Sequence, residues 1–220
     1  MKKTQPQGEL RQPQERSFIQ TQMAGQLATK KEKNRLLLHS CCGPCSTACI
    51  ERLAGDYKIT VFFYNPNITE RAEYELRREN QLKFIELYNQ QAAEDQQIDF
   101  IEGEYLPEDF FRAAQGLEDE PEGGSRCTEC FRLRLERTAQ AAVRTGNNIF
   151  GTTLTVSPHK SYALISALGC ELAEKYALEF LDLDFKKKAG FQRSIQLSRE
   201  YGLYRQNYCG CEFSKRDRQK

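Results

Sequence analysis

Five short apolar runs alternate with longer stretches of helical period, and this alternation constrains the chain more than any other feature. The runs are RLLLHS (35–40), KITVFFYNP (58–66), IDFIEG (98–103), NIFGTTLT (148–155) and LEFLDLDF (178–185). Between them STACIERLAG, TERAEYELRRENQLKFIELYNQQ, CTECFRLRLERTAQAAVRTG and HKSYALISALGCELAEKYA read as helices, and the last segment, from Phe191, holds one more amphipathic helix. Gly55, Gly146 and the stretch after Tyr176 supply stops. Parallel strands need a crossover between them, usually a helix, so the pattern predicts an α/β fold with a parallel sheet.

The expected architecture is a Rossmann-like parallel sheet of about five strands with helices on both faces, whose functional residues collect beyond the carboxyl ends of the strands. CCGPC follows the first run, Asn65 to Asn67 follow the second, TVSPHK follows the fourth, and DLDFKKK ends the fifth. Residues 1–33 lack apolar periodicity and are expected to form a disordered Gln-rich tail, ahead of one domain at 34–214 and a basic tail at 215–220. With 32 basic and 31 acidic residues the formal charge is +1, so any nucleic-acid surface must be local. The sequence offers neither a signal-peptide h-region nor a membrane-length apolar run, which predicts a cytoplasmic protein with no membrane partner.

Nine cysteines, an odd number, argue against a complete disulfide framework. In a reducing compartment such clusters serve more often as metal ligands or catalytic thiols. Cys49 and Cys170 fall among Ala, Ile and Leu inside helical patterns and are expected in the core. Cys42 and Cys45 form a C-x-x-C at a helix start, where a thioredoxin-type thiolate would be stabilised, but that reading leaves Cys41, Cys127 and Cys130 without a role. Cys127 and Cys130 make a second C-x-x-C, and four thiolates drawn from the two loops suit a tetrahedral zinc or an iron-sulfur cluster. Cys209-Gly210-Cys211 is either a strained, labile disulfide pair or two further ligands.

Taken together, LLLHSCCGPC, YNPNI with EYELRR, EGGSRCTECFRLRLERTA, TTLTVSPHKS and LDFKKKAGFQRSIQLSREYGLYRQNYCGCEFS resemble the non-cobalamin epoxyqueuosine reductases, the QueH family. The resemblance runs from Leu36 to Ser214, and the segment before Arg35 lies outside the family pattern. Lys186 stands where the family more usually has Arg, keeping the charge without the guanidinium fork. The resemblance implies reduction of epoxyqueuosine to queuosine at the wobble position of tRNA, a two-electron removal of the epoxide oxygen. It implies a 4Fe-4S cluster at the carboxyl edge of the sheet on Cys41, Cys42, Cys127 and Cys130, and a redox-active pair, Cys209 and Cys211. It also implies an additional mononuclear iron, for which Cys45 is the candidate ligand. The implied partners are the anticodon loop of tRNA carrying epoxyqueuosine and a low-potential electron donor.

By residue type Tyr204, Lys160 and His159 are candidate proton donors, and Asn65, Asn67, Arg77, Thr153 and Ser157 could hydrogen-bond the base or phosphates. Turn and cap roles account for Asn65, Asn67 and Thr153 equally well. Lys186 to Lys188, Lys215 to Lys220 and a stripe of Arg126, Arg132, Arg134 and Arg137 are candidates for phosphate contact, while YGLYRQNY offers aromatic planes and Gln206 for bases. The competing classes are a thiol-disulfide oxidoreductase, a zinc-stabilised RNA-binding module and an ATP-pyrophosphatase-type enzyme, the last lacking its Ser-Gly-rich loop here.

Overall fold

The structure, a computed structural model, describes Met1 and residues 33–217. The expected tail over 2–32 and the end of the basic tail, 218–220, lie outside the described residues. Strands β1 (Asn34–His39), β2 (Tyr57–Phe63), β3 (Asp99–Glu102), β4 (Ile149–Thr152) and β5 (Glu179–Phe180) form one parallel sheet in the order β3-β2-β1-β4-β5. The helices are α1 (Gly43–Leu53), α2 (Arg71–Asn89), α3 (Pro107–Ala114), α4 (Ser125–Thr145), α5 (Tyr162–Tyr176), α6 (Gly190–Glu200) and α7 (Glu212–Asp217). Each of the five expected strands is present, and α3 and α7 are additions that the apolar pattern did not announce. None of the described helices is long and apolar enough to cross a membrane.

Strand periodicity sorts the core into two layers. Leu36 and Leu38 point to one face with Ile59 and Val61, covered by Ile50 and Leu53 of α1 and Phe84 and Ile85 of α2. Leu37 points to the other with Phe62 and Phe150, covered by Leu135 and Ala139 of α4 and Leu168 and Leu172 of α5. A central strand buried on both faces reads as an unbroken apolar run, which is why LLL marks β1. β5 is shorter than the expected 178–185. Beyond Phe180 the Leu183 amide turns back to the Leu181 carbonyl, and Thr155 Oγ1 donates to the Leu183 carbonyl at 2.8 Å, replacing the ladder.

Helix ends follow the stops in the sequence. α4 ends at Gly146 in the left-handed region (φ 67°), and α5 at Ala177 (φ 53°). Cys49 is buried as expected, its thiol donating to the Cys45 carbonyl at 3.3 Å. Cys170 is not in the core. Ile165, Leu168, Gly169 and Leu172 define the buried face of α5, and Cys170 falls on the solvent side of it.

The start of α1 is pressed against α2. A Cβ at Gly43 would lie 2.6 Å from the Asn80 carbonyl oxygen, a backbone atom that cannot rotate away. Gly43→Ala is therefore expected to lower stability by about 1–3 kcal/mol, the scale of an overpacked core, as read from the urea unfolding midpoint. An unchanged midpoint would show that the two helices can part freely.

Candidate thiolate site

The turn from β1 into α1 places Cys41, Cys42 and Cys45 together. Cys42 caps the helix in extended conformation, Pro44 fills the first turn where no amide partner is lost, and Cys45 stands one turn in. The three sulfurs lie within 4.8 Å of one another, with Cys41 Sγ 3.8 Å from Cys42 Sγ. Hydrogen bonds from Cys42 and Cys45 hold the Cys41 thiol well below its usual range, with Lys160 and Arg134 adding positive charge. Burial and the bond to Cys41 push Cys42 up to about 12, and the bonds to the other two thiols raise Cys45. These shifts favour charge on Cys41 over its two neighbours, because further buried thiolates would repel it. A soft cation is what would let the others ionise, so this donor set fits a thiolate-bound metal.

Two cavities meet at the carboxyl edge of the sheet. One, of about 280 Å³, is lined by Cys41 and Cys45 together with Arg77, Arg134, Lys160, Arg205 and Gln206. The other, of about 160 Å³, is lined by Cys127, Cys130, Cys209 and Cys211. They share Glu122, Arg134, His159, Lys160 and Cys209 as walls; Cys41 and Cys45 line the larger, Cys42 lines neither, and Cys127, Cys130 and Cys211 line the smaller. Cys127 and Cys130 enter it from the first turns of α4, Cys127 also packing in the same apolar cluster as Cys41 and Cys42. Cys127 Sγ accepts from the Gly123 amide at 3.2 Å, while burial raises its thiol and pushes Cys130 up to about 11.

The C-x-C pair is of different character. Cys209 Sγ and Cys211 Sγ are 3.4 Å apart, and the hydrogen bond between them draws the Cys209 thiol down to about 6 while Cys211 is driven up. Cys209 is therefore the thiolate of the pair and Cys211 keeps the proton. Gly210 has φ 113°, and a Cβ there would lie 2.8 Å from Ile68 Cγ1, so both conformation and space require glycine.

A buried polar network ties the strand ends beneath this space. Arg134 donates through Nη2 to Asn65 Oδ1 at 2.8 Å, and Asn65 Nδ2 donates to the Ser40 carbonyl at 2.9 Å. His39 Nδ1 is 2.9 Å from Thr152 Oγ1, and Nε2 sits between Arg134 Nε (3.4 Å) and the Tyr64 carbonyl (3.2 Å). A neutral ring uses Nε2 either to donate to the Tyr64 carbonyl or to accept from Arg134, according to its tautomer, whereas an imidazolium would be desolvated and would face Arg134. Burial and then Arg134 hold His39 down at about 3. The unfolded chain takes up this proton near pH 6.5, so the stabilisation is complete above 6.5 and is lost as pH falls toward 3. We expect the urea stability of the wild type to fall below pH 6.5 with a slope approaching about 1.4 kcal/mol per pH unit, and His39→Gln to flatten it. Equal slopes in both proteins would contradict the assignment.

Several residues singled out in the sequence have other work. Asn65 is committed to Arg134 and Ser40, and Arg77 gives its donors to Glu73 and to main-chain carbonyls. Thr153 is fully buried and lines neither cavity, whereas Ser157 lines the larger one and Asn67 the smaller. Lys160 and His159 line both, while the Tyr204 hydroxyl reaches Glu73 Oε2 (3.2 Å) on the surface and lines neither. The arginine stripe is not a surface patch. Arg126 and Arg134 are each 2% exposed, and Arg132 pairs with Glu171. Lys186 donates to the Lys160 carbonyl at 2.9 Å, leaving Lys187 and Lys188 exposed. His39, Glu73 and Glu122 had not been singled out. Of these only Glu73 had a signal, its i,i+4 spacing to Arg77.

Fold and site together define a class: a parallel α/β protein whose sheet edge gathers a metal-competent thiol triad, a C-x-x-C and a C-x-C around two adjoining cavities. The family model described as epoxyqueuosine reductase QueH matches residues 36–217, and the chain belongs to that family of oxidoreductases. It is 43% identical over 185 residues to epoxyqueuosine reductase QueH of Staphylococcus epidermidis, covering 83% of this chain and 77% of the relative. The Streptococcus pyogenes protein of the same name is 40% identical over 89% of this chain and 76% of its own length. The one from Thermotoga maritima is 38% identical over 84% of this chain and 92% of its own length.

Proposed function

We propose that this enzyme reduces epoxyqueuosine to queuosine at the wobble position of tRNA, with Cys41, Cys42, Cys127 and Cys130 holding a 4Fe-4S cluster and Cys45 contributing to an additional iron. The observation that carries this reading is the pair of adjoining cavities at the strand ends, one lined by Cys41 and Cys45 and the other by Cys127 and Cys130, with Cys209 in the wall of both. When bound, a cluster with a neighbouring iron supplies electron storage and a Lewis-acidic position for the departing oxygen. Cys209 as thiolate and Cys211 as thiol hold the reducing pair, and their conversion to a disulfide releases two electrons and one proton, the second proton of the reaction coming from solvent. Epoxide, two electrons and two protons give alkene and water, so one disulfide balances one turnover. Lys160, in the wall of both cavities, is the candidate proton donor to that oxygen. Arg134 keeps the space rigid through Asn65 and is itself buried.

The anticodon loop would approach over the mouth of the larger cavity, where Arg205, Gln206 and Tyr208 supply guanidinium, amide and aromatic surfaces suited to a splayed base. Exposed Lys187 and Lys188 come just before Phe191, which lines that cavity, and are the candidates for phosphate contact. The test is anaerobic incubation of the protein with epoxyqueuosine-containing tRNA and a low-potential reductant, followed by nucleoside mass analysis. Loss of one oxygen from the modified nucleoside is the expected result. Unchanged nucleoside with a competent reductant and full iron content would refute the assignment.

A further inference from the structure

The Cys209-Gly210-Cys211 loop is anchored along its backbone. Arg77 Nη1 donates to the Cys209 carbonyl at 3.0 Å and Nη2 to the Tyr208 carbonyl at 3.3 Å. Asn67 Nδ2 donates to the same Cys209 carbonyl at 3.3 Å, and the Gly210 carbonyl accepts from the Thr69 amide at 3.2 Å. Three successive carbonyls are thus held by α2 and by the loop that follows β2. Arg77 is 1% exposed, its Nε fixed by Glu73 Oε1 at 2.6 Å and its guanidinium 5.2 Å from the Tyr208 ring centroid. A cation this deeply buried is costly unless its donors are matched, and here they are matched by the backbone of the C-x-C loop.

We propose that Arg77, assisted by Asn67, is a positioning residue that presets the C-x-C loop for closure of the Cys209–Cys211 disulfide and thereby sets the reducing strength of the dithiol. This rests on the reading of the two cysteines as the redox pair. Closure joins the Cys209 thiolate to the Cys211 sulfur, forming the S–S bond and breaking one S–H bond; the two electrons, that proton and a second proton from solvent pass to the substrate epoxide, whose oxygen leaves as water. Ring closure of a C-x-C needs both sulfurs at about 2.05 Å with little torsional freedom. In the folded protein they already stand 3.4 Å apart on a backbone whose peptide planes are fixed by hydrogen bonds. The ordering entropy is therefore taken up on folding, and the disulfide is favoured over that of a free C-x-C loop by a higher effective concentration.

The experiment equilibrates the full-length protein anaerobically across ratios of reduced to oxidised dithiothreitol, traps free thiols by alkylation and reads the Cys209–Cys211 disulfide fraction by peptide mass. Arg77→Met is expected to move the midpoint toward the dithiol by about tenfold, equivalent to about 30 mV for two electrons. Arg77→Lys, which keeps the charge without the fork, should fall between, and Asn67→Ala should shift it less in the same direction. A folded Arg77→Met protein with an unmoved midpoint, or full restoration by Lys, would overturn the proposal while leaving the redox pair standing. If Arg77→Met does not fold, an unmoved midpoint in Asn67→Ala overturns it instead. A wild type that forms no such disulfide at any ratio would overturn the redox reading and the proposal with it.

Discussion

Cys41→Ala protein purified anaerobically is expected to carry background iron and sulfide and to show no turnover. Cys41 is the sulfur on which the triad converges: it lies 3.8 Å from Cys42, and hydrogen bonds from Cys42 and Cys45 with the charges of Lys160 and Arg134 favour its ionised form. Without it the turn loses the thiol that its surroundings most favour as thiolate, and four-thiolate binding becomes three-thiolate binding. Cys49→Ala is the control. Its sulfur is buried in the sheet-side core and bonds only the Cys45 carbonyl among the described hydrogen bonds, so iron should be retained. Full iron in Cys41→Ala, measured together with sulfide and the visible absorption, would show that the ligand assignment is wrong.

Cys209→Ser and Cys211→Ser are expected to keep their iron yet lose turnover by a factor on the order of a thousand or more, as when a group that makes a bond in the reaction is removed. A disulfide needs both sulfurs, so the double substitution should be no worse than either single one. Iron loss equal to that of Cys41→Ala would instead make these cysteines ligands. The thiolate character of Cys209, drawn to about 6 by its hydrogen bond with Cys211, also predicts which thiol of the pair alkylates first near neutral pH.

Much of this architecture was legible because parallel strands buried on both faces cannot be written any other way than as apolar runs such as LLL in β1. The carboxyl-edge rule then brought CCGPC and the SPHK turn to one side without any knowledge of distances. What stayed hidden depends on tertiary contact. The arginine stripe on α4 looked like a surface because spacing does not tell which arginines are swallowed by the core, and Arg134 is buried because Asn65 and His39 meet it there. Arg77 looked like a substrate contact because the carbonyls it binds lie more than a hundred residues away in the chain. The truncation of β5 is equally unreadable, since Thr155 takes over the Leu183 carbonyl only after the chain has folded.

The central claim is that the thiols at the strand ends deliver two electrons to one epoxide, with Cys209 and Cys211 as the final store. The most direct test is a single turnover: fully reduced protein, freed of external reductant under anaerobic conditions, is mixed with excess epoxyqueuosine-containing tRNA. Product nucleoside and Cys209–Cys211 disulfide are then counted in the same sample by mass analysis. One disulfide for each queuosine formed is the result the account predicts. Queuosine formed while both thiols remain free to alkylate would contradict it.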